Sequence, residues 1–547
     1  MLVYPQFGRT YWGLQYSLPL TGKKALMPPL GLLTVAALSP PELEFRLVDL
    51  NCGPLSEVDL DWAEMVCFSA MISQKTALFE AAARCKVAGK LVVFGGPYPT
   101  ACPEECMPYC DVLVLNEAEI TWPMFLEDLA RGTYQNEYAT TQKPDVTQTP
   151  VPRFDLLDLE RYACIPVQFS RGCPFQCEFC DIIVMFGRTP RTKTPGQLLA
   201  ELDAVYETGY RGTVFIVDDN FIGNRKAAKK LLPEIRAWNE AHQHPFVYTT
   251  EASVDLAQED TLLRLMTEAH FSAVFLGIET PSMESLQETR KFQNLRTSLA
   301  DSVRKVQCAG LVVQGGFIIG FDNDGEDIFD RQIEFIRQTA IPQAMVGLLA
   351  ALPGTPLHER LQKAGRLVEQ DRYGKGEDWC GDTNVVTGIP RKKLLEGYRR
   401  VLETIYSPRE YFERCLETLG RLPGPVPQIG TIHRPRQSLW GKLKPVFHLL
   451  RQLPREYRRE SMRFLWAVLR RCPDRLAPAV IDVFSGLHFY RFTFEHVAPQ
   501  LEERVQQLSP EFSEDVCDFA PHAVATQGDA RLASSELLTS MGPAPRL

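Results

Sequence analysis

The chain has 547 residues, 45% of them apolar and 23% charged, and a formal net charge of −9. That length exceeds one ordinary domain and predicts about two to four. The sequence contains neither an uninterrupted apolar run of about 18 residues, as a membrane-spanning helix needs, nor a secretory signal pattern at residues 1–5. Fifteen cysteines in such a chain indicate a reducing cytoplasm rather than a disulfide-stapled secreted domain.

Residues 1–135 alternate short apolar runs with helical patterns. Continuous apolar runs are typical of parallel strands that helices cover on both faces. The predicted strands are 2–4, 45–49, 65–69, 91–95 and 112–115, and the predicted helices lie near 29–38, 75–88, 103–109 and 120–131. This region therefore predicts an α/β, doubly wound, Rossmann-like domain, in which ligands bind outside the carboxyl ends of the strands.

Residues 136–160, rich in Pro, Thr and Gln, predict a linker. Six further β/α units over residues 161–390 predict a partial (β/α)6 barrel with its chemistry at the carboxyl ends of the strands. Their strands are predicted at 165–170, 213–218, 246–250, 273–278, 312–319 and 344–351, and their helices near 195–209, 225–240, 259–269, 295–309 and 325–338. Residues 391–519 predict a helical C-terminal domain, and residues 520–547, which lack hydrophobic periodicity, predict a disordered tail.

The most informative motif is Cys173-x₃-Cys177-x₂-Cys180, which follows the first predicted barrel strand and Arg171-Gly172. Three thiolates on one short loop can hold three irons of a 4Fe–4S cluster and leave the fourth iron open to a substrate. Buried free cysteines are the alternative, because cysteine packs as a small apolar residue. A second trio illustrates that alternative, since its i, i+4, i+8 spacing places it on one helical face for packing: Cys102, Cys106 and Cys110.

The loop motif resembles that of the radical S-adenosylmethionine (SAM) enzymes, in which SAM chelates the open iron. The resemblance implies that Phe179 lies near the SAM adenine. It also implies SAM contacts at four strand ends, from Asp218, Asp219 and Asn220 at the ammonium group, Glu251 and Glu279 at the ribose, and Gly316, Ile318 and Gly320 at the adenine. Each has a plainer alternative: a turn with a helix N-cap for the acidic pair, solvation of a strand end for the glutamates, and close packing for the glycines.

The N-terminal region is similar to cobalamin-binding domains, with matching segments in the same order at 27–32, 48–53, 94–100 and 116–119. The resemblance implies cobalamin contacts from Asp49, Asn51, Gly53, Gly95, Gly96, Tyr98 and Glu117. Many such domains carry D-x-H-x-x-G, whose imidazole ligates cobalt, but here Asn51 stands at the histidine position. A neutral amide is a poor ligand for such a metal, so this loop predicts cobalamin bound without its own histidine. The alternative is a doubly wound domain that binds no cofactor.

The stretch at 186–193 and, more loosely, 488–491 resemble a subgroup of cobalamin-dependent radical SAM enzymes that includes hopanoid C-2 methylases. The resemblance implies a methyltransferase that uses a 4Fe–4S cluster, SAM and cobalamin on an unactivated carbon, with a flavodoxin- or ferredoxin-type electron donor. It implies a lipid or polyprenoid such as a hopanoid as substrate, and leaves a peptide or small metabolite open. Two alternatives remain: a rearrangement or cyclisation enzyme of the same family, and an iron–sulfur or cobalamin-binding module without catalysis.

The charge is unevenly distributed. Residues 431–480 carry twelve Lys/Arg against three acidic residues, a local net charge of +9. One helical side there carries apolar residues flanked by basic ones, followed by a second apolar group: Trp440, Leu443, Val446, Phe447 and Leu450; Lys442, Lys444 and Arg451; Phe464, Leu465 and Trp466. A basic amphipathic helix predicts association with the inner membrane face, and the alternative is a helix that packs its apolar side on the barrel. The acidic chain as a whole and the lack of a nucleic-acid-binding motif argue against a nucleic acid partner.

Overall fold

The computed structural model describes residues 1–368, 383–424, 427 and 453–508. Over these residues the chain builds a doubly wound α/β domain, a curled parallel half-barrel and a group of C-terminal helices. The predicted fold class is confirmed. The predicted tail at 520–547 and the basic residues 431–452 lie outside the described residues.

The N-terminal domain is a six-stranded parallel sheet in the order β2-β1-β3-β4-β5-β6. Its strands are β1 (Leu2–Tyr4), β2 (Leu47–Asp49), β3 (Met65–Ser69), β4 (Leu91–Gly95), β5 (Val112–Val114) and β6 (Glu137–Tyr138). Its helices are α1 (Leu30–Ala37), α2 (Glu57–Trp62), α3 (Lys75–Val87), α4 (Pro97–Ala101), α5 (Pro103–Cys106) and α6 (Ala118–Arg131). Alternate strand residues pack into two separate apolar clusters, one on each face of the sheet, which is why the strands read as continuous apolar runs.

All five strands predicted here are present, each within two residues of its predicted bounds. The sixth, β6, lies in the segment predicted as a linker and pairs with β5. The packing trio is confirmed, because all three cysteines are buried in one apolar cluster: Cys102, Cys106 and Cys110. Their helix is broken, since α5 ends at Cys106 and a 3₁₀ turn continues to Tyr109.

The second sheet is also parallel and six-stranded, in the order β14-β13-β12-β11-β10-β7. Its strands are β7 (Cys164–Val167), β10 (Gly212–Ile216), β11 (Phe246–Ala252), β12 (Phe271–Glu279), β13 (Val312–Ile319) and β14 (Gln343–Leu348). The helices around it are α8 (Pro195–Glu207), α9 (Arg225–Ala241), α10 (Asp260–Glu268), α11 (Met283–Glu288), α12 (Leu299–Ala309), α13 (Ile328–Thr339) and α14 (Pro356–Lys363). All six predicted barrel strands are therefore present, and because β7 and β14 do not pair, the barrel is open on one side.

A small insertion separates β7 from α8. It is an antiparallel hairpin of β8 (Ser170–Arg171) and β9 (Arg191–Thr192), with the short helix α7 (Ile182–Met185) between them. This hairpin carries the C-x₃-C-x₂-C motif at the carboxyl ends of the barrel strands.

The C-terminal helices pack on the β14 edge of the half-barrel. They are α15 (Arg391–Ile405), α16 (Pro408–Arg421), α17 (Arg455–Arg471), α18 (Leu476–Arg491) and α19 (Ala498–Gln507), with a π-helical turn, Phe492–Val497, between the last two. Two buried tyrosines fasten α15 and its end to β14, because Tyr398 and Tyr406 donate to the Val346 and Ala344 carbonyls at 2.9 and 2.7 Å.

Candidate functional site

The three motif cysteines lie on a loop that the β8–β9 hairpin closes. Gly172 opens this loop with a φ of +93°, and a Cβ there would lie 2.9 Å from the Gly187 carbonyl oxygen, so the position requires glycine. Cys177 is buried, whereas Cys173 and Cys180 are half-buried. Burial raises the pKa of the Cys180 thiol to about 12 and also raises that of Cys173, so these thiols stay protonated until a cation joins them.

Two amide side chains donate toward the cysteine sulfurs. Nδ2 of Asn220 lies 3.7 Å from Sγ of Cys173, and Nε2 of Gln293 lies 3.5 Å from Sγ of Cys177. Donors of this kind stabilise thiolate sulfur, as a cluster ligand requires. Among the described residues, no group of three or more His, Cys, Asp or Glu side chains converges as it would on a single metal ion.

The Asp-Asp-Asn sequence after β10 braces the cysteine loop. Asp218 accepts hydrogen bonds from Phe169 N at 2.8 Å and Ser170 Oγ at 2.6 Å, and Asp219 accepts one from Gly172 N at 2.7 Å. Burial raises the pKa of Asp218 to about 7 and that of Asp219 to about 6. The N-cap alternative places the cap at these aspartates, but the side chain that caps α9 belongs to Asn224. A SAM contact from Asp218, Asp219 or Asn220 stays a prediction.

An ion-pair network, buried except for the half-buried Arg360, joins the cysteine loop to the last β/α unit. Arg360 on α14 donates to Glu178, between Cys177 and Phe179, at 2.6 Å and to Asp322 at 2.7 Å. Asp322 also pairs with Arg366 at 2.7 Å. These contacts cross the side on which the two terminal strands do not pair, so they hold the loop in place where the sheet does not. No local sequence pattern predicts these contacts, because Glu178 and Arg360 are 182 residues apart.

The two predicted glutamates have different surroundings. Glu279 ends β12 with a φ of +67° and is ion-paired with Lys291, and both are buried. Burial lowers the pKa of Lys291, but Glu279 and Cys177 raise it more, so the lysine is held as a cation beside the cysteine loop. The side-chain carboxyl of Glu251, at the end of β11, has no hydrogen-bond or ion-pair partner among the described residues, whereas its backbone carbonyl accepts from Phe221 N at 2.9 Å. Burial raises the pKa of the Glu251 carboxyl to about 7. Lys291 is a site residue that sequence reasoning missed.

The residues predicted near the adenine come together at one side of the mouth. Phe179 and Ile318 pack against the same small apolar cluster, and the Phe179 ring lies 6.0 Å from that of Phe321. Lys291 Nζ lies 5.6 Å from the centre of the Phe179 ring. Gly320, with a φ of +110°, donates its N–H to Asp324 at 2.9 Å.

The interior of the half-barrel is not filled by its own side chains. Along β13 the outward residues are buried, whereas the inward ones, among them Gln314, Gly316 and Ile318, are only half-buried. Gly316 leaves room for the Phe275 ring, since a Cβ there would lie 2.6 Å from it, and a Cβ at Gly347 would meet no atom within 4 Å. The glycines therefore leave space inside the barrel for a ligand.

Trp12 is the second residue that sequence reasoning missed. It comes from the segment after β1, is 42% exposed, and contacts Phe275 inside the half-barrel edge to face, with ring centres 5.2 Å apart. The C-terminal helices anchor its segment. His488 on α18, buried and with its pKa lowered to about 4 by that burial, contacts the Thr10 carbonyl at 2.9 Å through Nε2 and accepts from the Tyr16 N–H through Nδ1. A chain distance of more than 470 residues hides this arrangement from sequence patterns.

The residues predicted to contact cobalamin follow strands β2, β4 and β5 at the carboxyl edge of the N-terminal sheet. Gly96 has a φ of +91°, and a Cβ there would lie 2.4 Å from Ser69 Oγ, while Gly53 has open space around it. Gly95 approaches β5 closely, with 3.0 Å between its built Cβ and the Val114 oxygen. Tyr98 is buried, and its hydroxyl donates to Glu105 at 2.8 Å, so only its backbone borders this edge.

The Asn51 amide is fully engaged within its own loop. Its Oδ1 accepts from Phe7 N at 2.9 Å, and its Nδ2 donates to Asp49 at 2.8 Å and to the Pro5 carbonyl at 3.2 Å. Asp49 in turn accepts from the Tyr162 hydroxyl at 3.0 Å. Asp49 therefore links the N-terminal sheet to the segment that precedes the barrel, whereas Asn51 links the segments that follow β1 and β2.

Glu117 lies in a buried ion-pair network between the two sheets. Arg191 on β9 pairs with both oxygens of Glu117 at 2.8 and 3.0 Å, and Arg171 on β8 reaches Glu117 at 2.9 Å and Glu119 at 2.7 Å. All four side chains are less than one-fifth exposed. The network fixes the N-terminal sheet edge against the hairpin that carries the cysteines.

Comparison with known proteins gives consistent matches. A family model described as Radical SAM superfamily matches residues 167–336, and one described as Domain of unknown function (DUF4070) matches residues 355–502. An uncharacterized methyltransferase of Synechocystis sp. is 42% identical over 541 residues, 98% of this chain and 99% of the relative. Hopanoid C-2 methylase of Rhodopseudomonas palustris is 35% identical over 419 residues, 76% of this chain and 78% of the relative.

A solved structure has the same fold. The cobalamin-dependent S-adenosylmethionine radical enzyme OxsB, with aqua-cobalamin bound, matches with a TM-score of 0.59 and 14% identity, over 94% of this chain and 82% of that one. Within the described part of the chain, no helix is both long and apolar enough to cross a membrane.

Proposed function

The chain belongs to the radical SAM superfamily, within the methyltransferase family that includes hopanoid C-2 methylase, and from that premise we propose that it methylates an unactivated carbon. The observation that carries the proposal is the loop of Cys173, Cys177 and Cys180, with amide donors from two strand-end segments at the sulfurs. When bound, the cluster and SAM supply hydrogen abstraction, and cobalamin supplies the methyl group.

The side chains of this protein would hold the cofactors, orient them and enclose them. The three cysteines would hold three irons, and Asn220 and Gln293 would keep the sulfurs in place. The Lys291–Glu279 ion pair would orient a carboxylate toward the ribose of SAM, and it puts a cation beside the loop. Phe179, Ile318 and Gly316 would border a flat ring. The carboxylates of Asp219 and Glu251, which have spare acceptor capacity, are the groups best suited to an ammonium.

The residues of the N-terminal domain fit a cobalamin that receives no histidine ligand from the loop after β2. Gly53 has open space around it at the sheet edge where a planar cofactor would lie, and Gly95 and Gly96 let the backbone of this edge pack closely against Val114 and Ser69. Asn51 is committed to its loop, so we expect no protein nitrogen from this loop on cobalt. The cob(II)alamin form of the holoenzyme should show no single-nitrogen imidazole splitting in its electron paramagnetic resonance spectrum. A clear imidazole splitting would contradict this assignment.

We propose a lipid or polyprenoid, such as a hopanoid, as the substrate class. Two observations support this class. The R. palustris relative is a hopanoid methylase, and the aromatic rings of Trp12 and Phe275 contact each other inside the half-barrel. Comparing lipid extracts of a host with and without the gene by mass spectrometry tests this class. We expect one lipid that carries an additional methyl group when the gene is present. Unchanged lipids together with a modified peptide or metabolite would contradict a lipid substrate.

The described half of the basic segment supports a membrane-surface role. On α17, Phe464 and Val468 are buried against the core, whereas Met462, Trp466 and Leu469 are 40–60% exposed on another side. Arg470 lies over the Trp466 ring at 4.5 Å. We expect co-sedimentation with anionic liposomes that salt reverses and that a Trp466→Ala variant weakens. Equal sedimentation with neutral liposomes, or none, would leave α17 as a packing helix alone.

The test of the function is product analysis. Anaerobically reconstituted enzyme, supplied with SAM, cobalamin, a reductant and a lipid extract, should form both 5′-deoxyadenosine and S-adenosylhomocysteine. Formation of 5′-deoxyadenosine without S-adenosylhomocysteine would favour a rearrangement or cyclisation enzyme. Formation of neither, with an intact cluster, would favour the non-catalytic module.

A further inference from the structure

An open groove of about 510 Å³ lies beside the cysteine loop, outside the half-barrel interior. Its walls come from the loop itself and from the segments after β10, β11 and β12: Pro174, Phe175, Thr189, Pro190, Ile222, Gly223, Asn224, Arg225, Ser253, Asp255 and Arg296. None of these groove residues is needed by the assignments for SAM or cobalamin. The groove is therefore a separate feature of the molecule.

The groove touches the cysteine loop directly. Pro174 and Phe175 stand between Cys173 and Cys177, so one wall of the groove is the outer side of the loop. Gly223 packs against that wall, since a Cβ there would lie 3.3 Å from Pro174 Cδ and 3.2 Å from Pro190 Cγ. A partner seated in this groove would be separated from the loop sulfurs by little more than one layer of side chains.

A chain of polar contacts also connects the groove with a cysteine sulfur. Arg225 is ion-paired with the buried Asp255, which accepts a hydrogen bond from Ser253 Oγ at 2.5 Å. Ser253 Oγ accepts from Asn220 Nδ2 at 3.1 Å, and the same nitrogen lies 3.7 Å from Cys173 Sγ. The groove arginine Arg225 is thus connected to Cys173, a predicted cluster ligand, through side chains that are mostly buried.

The groove is locally basic in an acidic chain. Its lining and the residues paired with that lining include four cations against two anions: Arg188, Arg225, Lys229 and Arg296 against Asp255 and Glu259. Arg225 and Arg296 are 36% and 51% exposed, whereas Asp255 is 1% exposed. Glu259 is 20% exposed, so the two arginines present more surface to an incoming partner than either carboxylate does. The half-buried Pro174, Phe175 and Pro190 give the groove an apolar part, as in the middle of a protein interface.

We propose that this groove is the docking site of an acidic one-electron donor protein of the flavodoxin or ferredoxin type. The proposal rests on the proposed cluster, which must gain one electron before it acts, while the donor loses one. The basic groove steers an acidic donor to the cysteine loop, and the apolar part holds it there.

The test measures how fast the cluster of the reconstituted holoenzyme is reduced. Reduced flavodoxin is mixed anaerobically with wild type and with Arg296→Glu, and the visible absorbance of the cluster is followed. We expect the variant to be slower by about tenfold or more at low ionic strength, because charge steering typically changes association rates by about 10- to 1,000-fold. Salt should slow the wild type and leave the variant nearly unchanged. The affinity for oxidised flavodoxin, measured by calorimetry, should weaken in parallel.

Two controls keep the outcome interpretable. Photoreduced 5-deazariboflavin is small and uncharged and needs no docking site, so it should reduce both proteins at the same rate. Arg131→Glu on α6 makes the same charge change at an exposed position of the N-terminal domain and should behave as wild type. Equal flavodoxin rates for Arg296→Glu and wild type would overturn the proposal, as would equal slowing by both variants. Absence of a reducible cluster in the wild type would instead refute the proposed function.

Discussion

At the scale of single residues, the amide donors at the sulfurs are the most direct link between the fold and cluster chemistry. Gln293→Ala removes the N–H that lies 3.5 Å from Cys177 Sγ, so we expect a lower reduction potential and weaker cluster retention, by about 10- to 100-fold. Potentiometry and iron analysis measure both effects. Gln287→Ala, at an exposed position on α11, is the matched control. An unchanged potential in Gln293→Ala would show that this amide only packs.

Glu251 gives a pH-dependent prediction for the metal-free protein. Burial raises its pKa to about 7, so the native state binds a proton that the unfolded chain releases at lower pH. Stability should therefore fall as pH rises from about 4.5 to 7. Glu251→Gln removes this cost and should be more stable than wild type at pH 8, by about 1–3 kcal/mol, with no difference near pH 4.5.

Thermal unfolding at the two pH values measures the Glu251 effect, since each kcal/mol shifts Tm by about 2–4 °C for a domain of this size. Glu207→Gln, at an exposed position at the end of α8, should change nothing. A Tm for Glu251→Gln that falls at pH 8 would mean that the carboxylate has a stabilising partner, against the arrangement described.

At the scale of elements, the segment after β1 contacts the C-terminal helices and extends into the half-barrel. Trp12→Ala should raise KM for the substrate by about 2- to 10-fold, since aromatic pairs contribute about 0.5–1.5 kcal/mol beyond their buried area. Formation of 5′-deoxyadenosine should persist while methylated product falls. Trp12→Phe should restore most of the product, and equal loss of both products would point to misfolding rather than substrate contact.

The ion-pair network between the sheets makes a second prediction at this scale. Glu117→Gln leaves Arg191 buried without its bidentate partner, and breaking a buried pair in this way costs about 3–5 kcal/mol. Glu127→Gln removes an exposed pair with Arg131 and should cost at most about 1 kcal/mol. Cobalamin uptake separates the two roles of Glu117. Loss of uptake at a temperature where the variant is fully folded would favour the predicted cobalamin contact over a purely structural one.

At the scale of the whole molecule, apolar patterns predicted five of the six strands of the N-terminal sheet and all six strands of the half-barrel. Strands such as β4 and β13 are continuous or alternating apolar runs, and those signals are local. The cysteine loop was equally local, since its three members lie within eight residues. What could not be predicted depends on long-range contacts. Trp12 reaches the barrel through His488, and Arg360 reaches Glu178 across the open side of the sheet.

The same distinction applies to predicted site residues whose ligand contacts stay predictions. Asp218 and Asn51 were selected by motif position, but their side chains are occupied by hydrogen bonds that brace loops. A motif predicts the strand end at which a residue lies. It does not predict which neighbouring group forms a hydrogen bond with the side chain of that residue. Lys291 was missed for the complementary reason: it matters only because the chain after β12 returns it to Glu279.

The proposed function requires that the three loop cysteines hold a cluster that cleaves SAM. The decisive measurement compares wild type, a Cys173→Ala/Cys177→Ala/Cys180→Ala variant and a Cys102→Ala/Cys106→Ala/Cys110→Ala variant after anaerobic reconstitution. Iron content, visible charge-transfer absorbance and 5′-deoxyadenosine are measured for each, with circular dichroism to confirm folding. We predict that only the loop variant loses all three signals while it remains folded. Iron and SAM cleavage retained by the loop variant, and lost from the folded 102/106/110 variant, would contradict the account.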